Sequence, residues 1–258
     1  MMKTIRIGQI SLSFHRASAA YITYLMSLRG YKAEISEAPH EAAFEMLANN
    51  EIDLLVSAWL PGSHGKYLDS IADPIVELGV IYEPYCIWGV PDYSDAQLAT
   101  VADLQKGEIS ANIEKTIYSI NPGAGISRFS IEIMDNYNLA ASGFKLKNLP
   151  EDAFFSYVEK SLEQRKIIII PFWHPQLLHY KYAFRELTEP LGLLRSKDKA
   201  TVVMREDFYQ TLDPVTAEML NHVYLGNKAV SALDYFLHEK GYGIEAALKE
   251  LNVELPRF

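Results

Sequence analysis

Ile52-Asp53-Leu54-Leu55-Val56-Ser57-Ala58-Trp59-Leu60-Pro61-Gly62-Ser63-His64 is the stretch from which the rest of the chain can be read. Residues 52–58 are nearly all apolar, the pattern of a strand covered on both faces by helices. Trp59 emerges at its end, and Pro61 keeps the chain from continuing as strand or helix. Pro171-Phe172-Trp173-His174-Pro175-Gln176 repeats the phrase after a second apolar run, residues 167–170. Strand ends are where α/β proteins place ligands. A Trp there offers an electron-rich face with little flexibility to lose. Two such faces would suit a cation that cannot donate hydrogen bonds, such as a quaternary ammonium.

Working outward, the first ninety residues read as strand–helix units. Residues 4–10 alternate like a strand. Residues 17–28 repeat apolar positions at helical spacing and stop at Gly30. A short strand at 31–35 and a helix at 41–50 precede the strand at 52–58. This alternation implies a parallel, layered sheet. A long aromatic strand is expected over 79–90. A second α/β region follows: strand 117–120, the turn Asn121-Pro122-Gly123-Ala124-Gly125, helix 126–137, strand 144–149, helix 152–164 and strand 167–170. After a loop-like stretch at 187–199 comes a strand at 200–205. Asp213-Pro214 then reads as a helix start, Asp as N-cap and Pro in the first turn. Helices are expected from there to about 225, at 228–240 and at 244–251. The pattern predicts two α/β lobes, 1–90 plus 205–258 and 91–204. Strands 80–90 and 200–205 would join them as hinges, with a ligand cleft between the lobes that closes by hinge motion.

The bulk numbers exclude several function classes. The 258 residues carry a net charge of −9 with no long basic cluster, which argues against nucleic acid as a partner. Hydrophobic content of 49% and charged content of 22% are those of a globular chain with ample core. Cys86 is the single cysteine, so no intramolecular disulfide and no thiolate cluster can form. It lies in an apolar stretch and reads as an inert buried thiol. No histidine pair has metal-ligand spacing within an acidic cluster, so no metal and no cofactor are expected. No nucleophile elbow, phosphate loop or dinucleotide loop occurs in the required strand–turn–helix form, and no catalytic residue is assigned. The longest apolar run is too short to span a bilayer. The N-terminus, Met1-Met2-Lys3-Thr4-Ile5-Arg6-Ile7-Gly8, has no continuous apolar segment and no small-residue cleavage site, and does not read as a signal peptide.

Five stretches, in order and spacing together, carry a family resemblance from Ile5 to about Leu237. They are Gly30-Tyr31, the run from Asp53 to Gly65, Val90-Pro91-Asp92-Tyr93 with Val101-Ala102-Asp103-Leu104, Asn121-Pro122-Gly123-Ala124-Gly125-Ile126, and Pro171 to Gln176 with Leu187-Thr188-Glu189-Pro190. The chain resembles the glycine betaine/choline/proline-betaine substrate-binding proteins of bacterial ABC transporters. The resemblance implies a type II periplasmic-binding-protein fold. It also implies an aromatic cage for a trimethylammonium group, and a His with backbone N–H groups for a carboxylate. Trp59 and Trp173 fall on cage positions and His64 on or beside the carboxylate-binding position. Gly125 and Ile126 fall on a loop offering N–H groups at a helix N-terminus, which suits an anion. Two positions depart from the family. Ala124 stands where several relatives have an aromatic residue, so either a third wall comes from elsewhere, with Trp88, Tyr85 and Phe14 as candidates, or the cage is looser. Gln176 stands where the family often has His, and is assigned a ligand hydrogen bond.

Each residue also has a plainer reading. A Trp at a strand end is by default a packing residue, and Trp88 on the expected hinge strand fits the core as well as a cage. His64 could cap the following helix. His174 and His179 read as exposed. Phe14, His15 and Arg16 are expected in the loop before the first helix. The resemblance implies capture of a small betaine, glycine betaine first, and delivery to permease and ATPase subunits outside the cytoplasm. The absence of a readable signal keeps a second expectation open, a cytoplasmic quaternary-ammonium sensor not coupled to transport.

Overall fold

A computed structural model describes residues 3–253; Met1, Met2 and the last five residues, included in the expected first lobe, lie outside the described residues. The chain divides into two compact units. The first comprises the chain up to Pro84, Pro175–Tyr180, and the chain from Asp198 onward; the second comprises Tyr85–His174 and Lys181–Lys197.

The first unit is built on five strands: β1 (Lys3–Ile10), β2 (Tyr31–Ala38), β3 (Leu54–Leu60), β4 (Ile75–Tyr82) and, late in the chain, β10 (Lys199–Arg205). Their order is β2-β1-β3-β10-β4. β1 runs parallel to β2 and β3, whereas β10 is antiparallel to β3 and β4. Every residue of β3 is buried, as its apolar run requires. β2, at the sheet edge, is mostly half-buried or exposed. Asp53, just before β3, looks out of place in that run. Its carboxylate accepts the Arg6 backbone N–H at 2.8 Å, pairs with the Arg6 guanidinium at 2.5 Å and faces Arg205 at 3.5 Å. A buried carboxylate is tolerable when paired this fully, and here it ties β1, β3 and β10 together.

Helices α1 (Ser13–Leu28) and α2 (His40–Ala48) connect the first strands. β4 passes close to a later helix, and a Cβ on Gly79 would meet the Leu220 carbonyl oxygen at 2.4 Å, so only glycine fits.

The second unit holds an antiparallel sheet of β5 (Tyr85–Pro91), β8 (Ile170–His174) and β9 (Phe184–Glu186), in the order β8-β5-β9. A parallel pair, β6 (Thr116–Ser119) and β7 (Lys145–Asn148), completes its strands. Its main helices are α3 (Gly125–Asn136) and α4 (Glu151–Glu163). The tail of the first unit is helical: α5 (Pro214–Asn221), α6 (Asn227–His238) and α7 (Ile244–Glu250). As expected, Asp213 caps α5, accepting the Thr216 N–H at 3.0 Å.

Four expectations change. The strand expected over 79–90 is two strands in different sheets, broken at Glu83-Pro84. β10 is an interior strand of the first unit, paired on both sides, not a connector. The unit boundaries therefore fall near 84 and 198 rather than at 90 and 204, and Pro175–Tyr180 joins the first unit. The apolar run at 167–170 only reaches the start of the strand. β8 begins at Ile170, so Trp173 lies within a strand rather than beyond it.

Candidate functional site

Trp59 anchors a polar and aromatic cluster within the first unit. β3 carries it there through a bulge. Thr201 pairs with Ala58 and Val203 with Leu55, so Val56 and Ser57 together oppose Val202 alone. Ser57 takes up the extra residue with φ of 56°, a left-handed conformation that costs a non-glycine residue roughly 1–3 kcal/mol. Bulges re-aim side chains, and this one turns the Ser57 hydroxyl to the His15 ring, with Oγ 2.5 Å from Nδ1.

Around Trp59 the contacts are specific. Its indole Nε1–H donates to the Tyr82 hydroxyl at 2.9 Å. Its backbone N–H donates to Nδ1 of His64 at 2.9 Å, while its carbonyl accepts the His64 N–H at 2.8 Å. A backbone N–H can only donate, so His64 Nδ1 bears no proton. The ring is neutral and its proton sits on Nε2. The Gly62 and Ser63 N–H groups donate to the Asp198 carboxylate at 2.7 and 2.9 Å, which fixes the loop between Trp59 and His64.

Phe14 and His15 belong to the first turn of α1, not to a loop before it. The Phe14 ring centroid is 5.3 Å from that of Trp59, and the His15 centroid is 4.2 Å from Phe14, 5.9 Å from Trp59 and 6.1 Å from His64. His40 meets His64 edge-on at 5.2 Å and Phe44 does so at 5.6 Å. Burial, and secondarily His40, hold the His15 imidazole well below its ordinary pKa, so it too is neutral. Burial also pushes the Tyr82 phenol up. The cluster thus combines two adjoining aromatic faces, suited to a cation, with neutral imidazoles able to donate to an anion. Three histidines lie close here, yet among the described residues no group of His, Cys, Asp or Glu is placed to hold a metal ion.

Gln176 is also in the first unit and wholly buried. Its backbone N–H donates to Ser231 Oγ at 3.0 Å, and its Oε1 accepts the Leu178 N–H at 2.7 Å. These bonds hold the Pro175–Tyr180 segment on α6.

The other sequence-predicted residues sit in the second unit. Trp173, 1% exposed, stacks on Phe154 with centroids 6.0 Å apart and meets Phe172 edge-on at 6.3 Å. Gly125 and Ile126 form the buried first turn of α3, where Ala124 as N-cap supplies no side-chain bond. Trp88 is fully buried, and its Nε1–H donates to Ser130 Oγ on α3 at 2.9 Å. That makes it a strut between β5 and α3, the plainer of its two sequence readings. Tyr85 stacks on His174 at 4.7 Å, away from Trp88's helix contact.

Sequence reasoning missed Ser57, Tyr82, His40 and Asp198. Only Ser57 left a signal, as a hydroxyl in an otherwise apolar buried run. The others reach the cluster from distant elements, and no spacing announces them.

Comparison with known proteins agrees with this architecture. The profile of the family "Substrate binding domain of ABC-type glycine betaine transport system" matches residues 3–250. A stretch of 129 residues is 24% identical to the glycine betaine/carnitine transport binding protein GbuC of Listeria monocytogenes. It covers 46% of this chain and 43% of that protein, less than half of the relative's length. Lactococcal OpuAC, in its closed form with glycine betaine, superposes with a TM-score of 0.82 at 22% identity, over 97% of this chain and 96% of that one. The glycine betaine/L-proline-binding protein ProX of Borrelia burgdorferi does so with a TM-score of 0.80 at 21% identity, over 96% and 92%. The fold is the type II periplasmic-binding-protein fold. Among the described residues no helix is long and apolar enough to cross a membrane. The chain belongs to the family of substrate-binding domains of ABC-type glycine betaine transport systems.

Proposed function

We propose that this chain captures a small quaternary-ammonium zwitterion, glycine betaine first, and delivers it to an ABC permease and its ATPase outside the cytoplasm. No bond is made or broken. The observation that carries the reading is the Phe14–Trp59 pair of aromatic faces beside His64, whose tautomer is fixed as an Nε2–H donor. The faces suit a trimethylammonium group and the imidazole N–H suits a carboxylate. Each desolvated cation–π face contributes roughly 0.5–2 kcal/mol, so two or three of them plus the anion contacts can approach the 8 kcal/mol or so of micromolar binding. Trp173, with the first-turn N–H groups of Gly125 and Ile126, is the set the second unit would contribute. Phe14 fills the role of third wall that Ala124 leaves open. Trp88 takes no part. Gln176 would serve through the segment it holds. Family membership favours this reading over a stand-alone cytoplasmic sensor.

The test is intrinsic Trp fluorescence of ligand-stripped protein titrated with glycine betaine, then proline betaine and choline. The expected result is a saturable change with glycine betaine, and weaker binding of choline, which has no carboxylate for His64. No response to any quaternary ammonium from folded protein would overturn the reading.

A further inference from the structure

His15 is a buried polar group in this cluster that the betaine reading does not use. It is 1% exposed, and its Nε2 has no hydrogen-bond partner among the described residues. A buried polar atom without a partner is costly, so such a group calls for a reason. The other ring nitrogen, Nδ1, is spent on Ser57 Oγ at 2.5 Å. Ser57 is the residue held in the left-handed conformation by the β3 bulge, so the contact rests on a backbone distortion rather than a casual rotamer.

A hydroxyl that gives its proton to Nδ1 leaves the ring's own proton on Nε2.

We infer that Ser57 donates to His15 Nδ1 and holds the ring as its Nε2–H tautomer, and that this N–H is a second donor, beside His64, for the anionic end of the ligand. The inference rests on the betaine reading and deepens it. It makes His15 a specificity residue, selecting zwitterions over plain quaternary-ammonium cations. The His15 and His64 rings lie stacked, 30° from parallel with centroids 6.1 Å apart. Each has Nδ1 hydrogen-bonded within the protein, and the Nε2 of His15 is left to face a ligand oxygen. The depressed basicity of His15 fits this role: the ring is neutral and donates without bringing a positive charge against the bound ammonium group. Among the described residues, the groups facing His15 are His40 from α2, His64 after β3, Ser57 and Trp59 on β3, and Phe14 on its own helix, with no acid among them.

The test compares glycine betaine with tetramethylammonium, the same cation without a carboxylate, on wild type, His15→Phe and His15→Gln. Phe keeps an aromatic ring and removes the donor; Gln restores an N–H. Glycine betaine affinity should fall roughly ten- to a hundred-fold in His15→Phe. Tetramethylammonium affinity should stay within about two-fold, and His15→Gln should recover most of the loss. Equal losses for both probes, or an unchanged glycine betaine affinity, would overturn the inference. Wild type that binds neither probe would instead bring down the betaine reading itself. Should His15→Phe fail to fold, ¹⁵N spectra of histidine-labelled wild type decide the matter. The expected result is a proton on Nε2 of His15 whose signal moves with glycine betaine and not with tetramethylammonium. A proton on Nδ1, or a signal that ignores glycine betaine, would overturn it.

Discussion

Trp59 and Trp173 sit in near-matching phrases, one in each unit, yet they are held by opposite means. Trp59 is fixed by hydrogen bonds at its indole N–H, its backbone N–H and its carbonyl, among two histidines and a tyrosine. Trp173 is fixed by ring packing against Phe154 and Phe172. The sheets beneath them differ as well. The first unit has one five-stranded sheet whose bulge re-aims Ser57. The second has two small sheets and an uncapped helix start at Gly125. The same strand–Trp–Pro phrase thus serves a polar setting in one place and an apolar one in the other.

The largest expected effect lies outside the comparison and calibrates it. Trp88→Ala, which removes a buried strut, should lower stability by about 3–5 kcal/mol in urea denaturation. Glycine betaine affinity of the fraction that remains folded should stay within about two-fold. A large affinity loss there would return Trp88 to the ligand. Next come Trp59→Ala and Trp173→Ala, each expected to weaken glycine betaine binding by about 1–3 kcal/mol in calorimetric titration. Unchanged affinity in both would sink the cage assignment.

Acid stability probes the polar side alone. An unfolded imidazole titrates near 6.5, while folded His15 stays neutral well below that because it is buried and faces His40. The unfolded chain therefore binds a proton that folded His15 refuses. Stability attributable to His15 is full above about pH 6.5 and falls as pH drops toward its folded value, by at most about 1.4 kcal/mol per pH unit. His238 works in the opposite direction. Burial lowers it, but its bond to Asp234 more than offsets this and leaves it raised, so its contribution is full below the unfolded value and fades as pH rises through the folded one. Urea midpoints of wild type and His15→Gln between pH 7.5 and 5.5 separate the two. The variant should lose the His15 slope, and parallel curves would refute it.

The smallest effect sharpens the comparison most. Trp59→Phe keeps an aromatic face but removes the donor to Tyr82, whereas Trp173→Phe keeps the ring packing that holds it. The Trp59 variant should lose about 1 kcal/mol more in stability, the usual value of one buried hydrogen bond. Equal losses would mean the two tryptophans are held alike.

Much of this protein is legible in its sequence for a local reason. The all-apolar run before Trp59 demands a strand covered on both faces, and the cap at Asp213-Pro214 needs only its own neighbours to work. The Trp and His64 positions are readable because one short loop carries both. What only the tertiary structure decided is non-local. β10 enters the first sheet between β3 and β4 although β3 ends at Leu60 and β10 begins only at Lys199, and that pairing both creates the bulge at Ser57 and redraws the unit boundaries. The Tyr82 hydroxyl, the Asp198 carboxylate and the His40 ring arrive at the site from separate elements. Hydrogen bonds act over about 3 Å whatever the distance along the chain, so no periodicity or spacing in the sequence records which side chains will meet. Trp88 makes the same point in reverse: its sequence setting suits a cage and a core equally, and a single bond to Ser130, 42 residues away, puts it in the core.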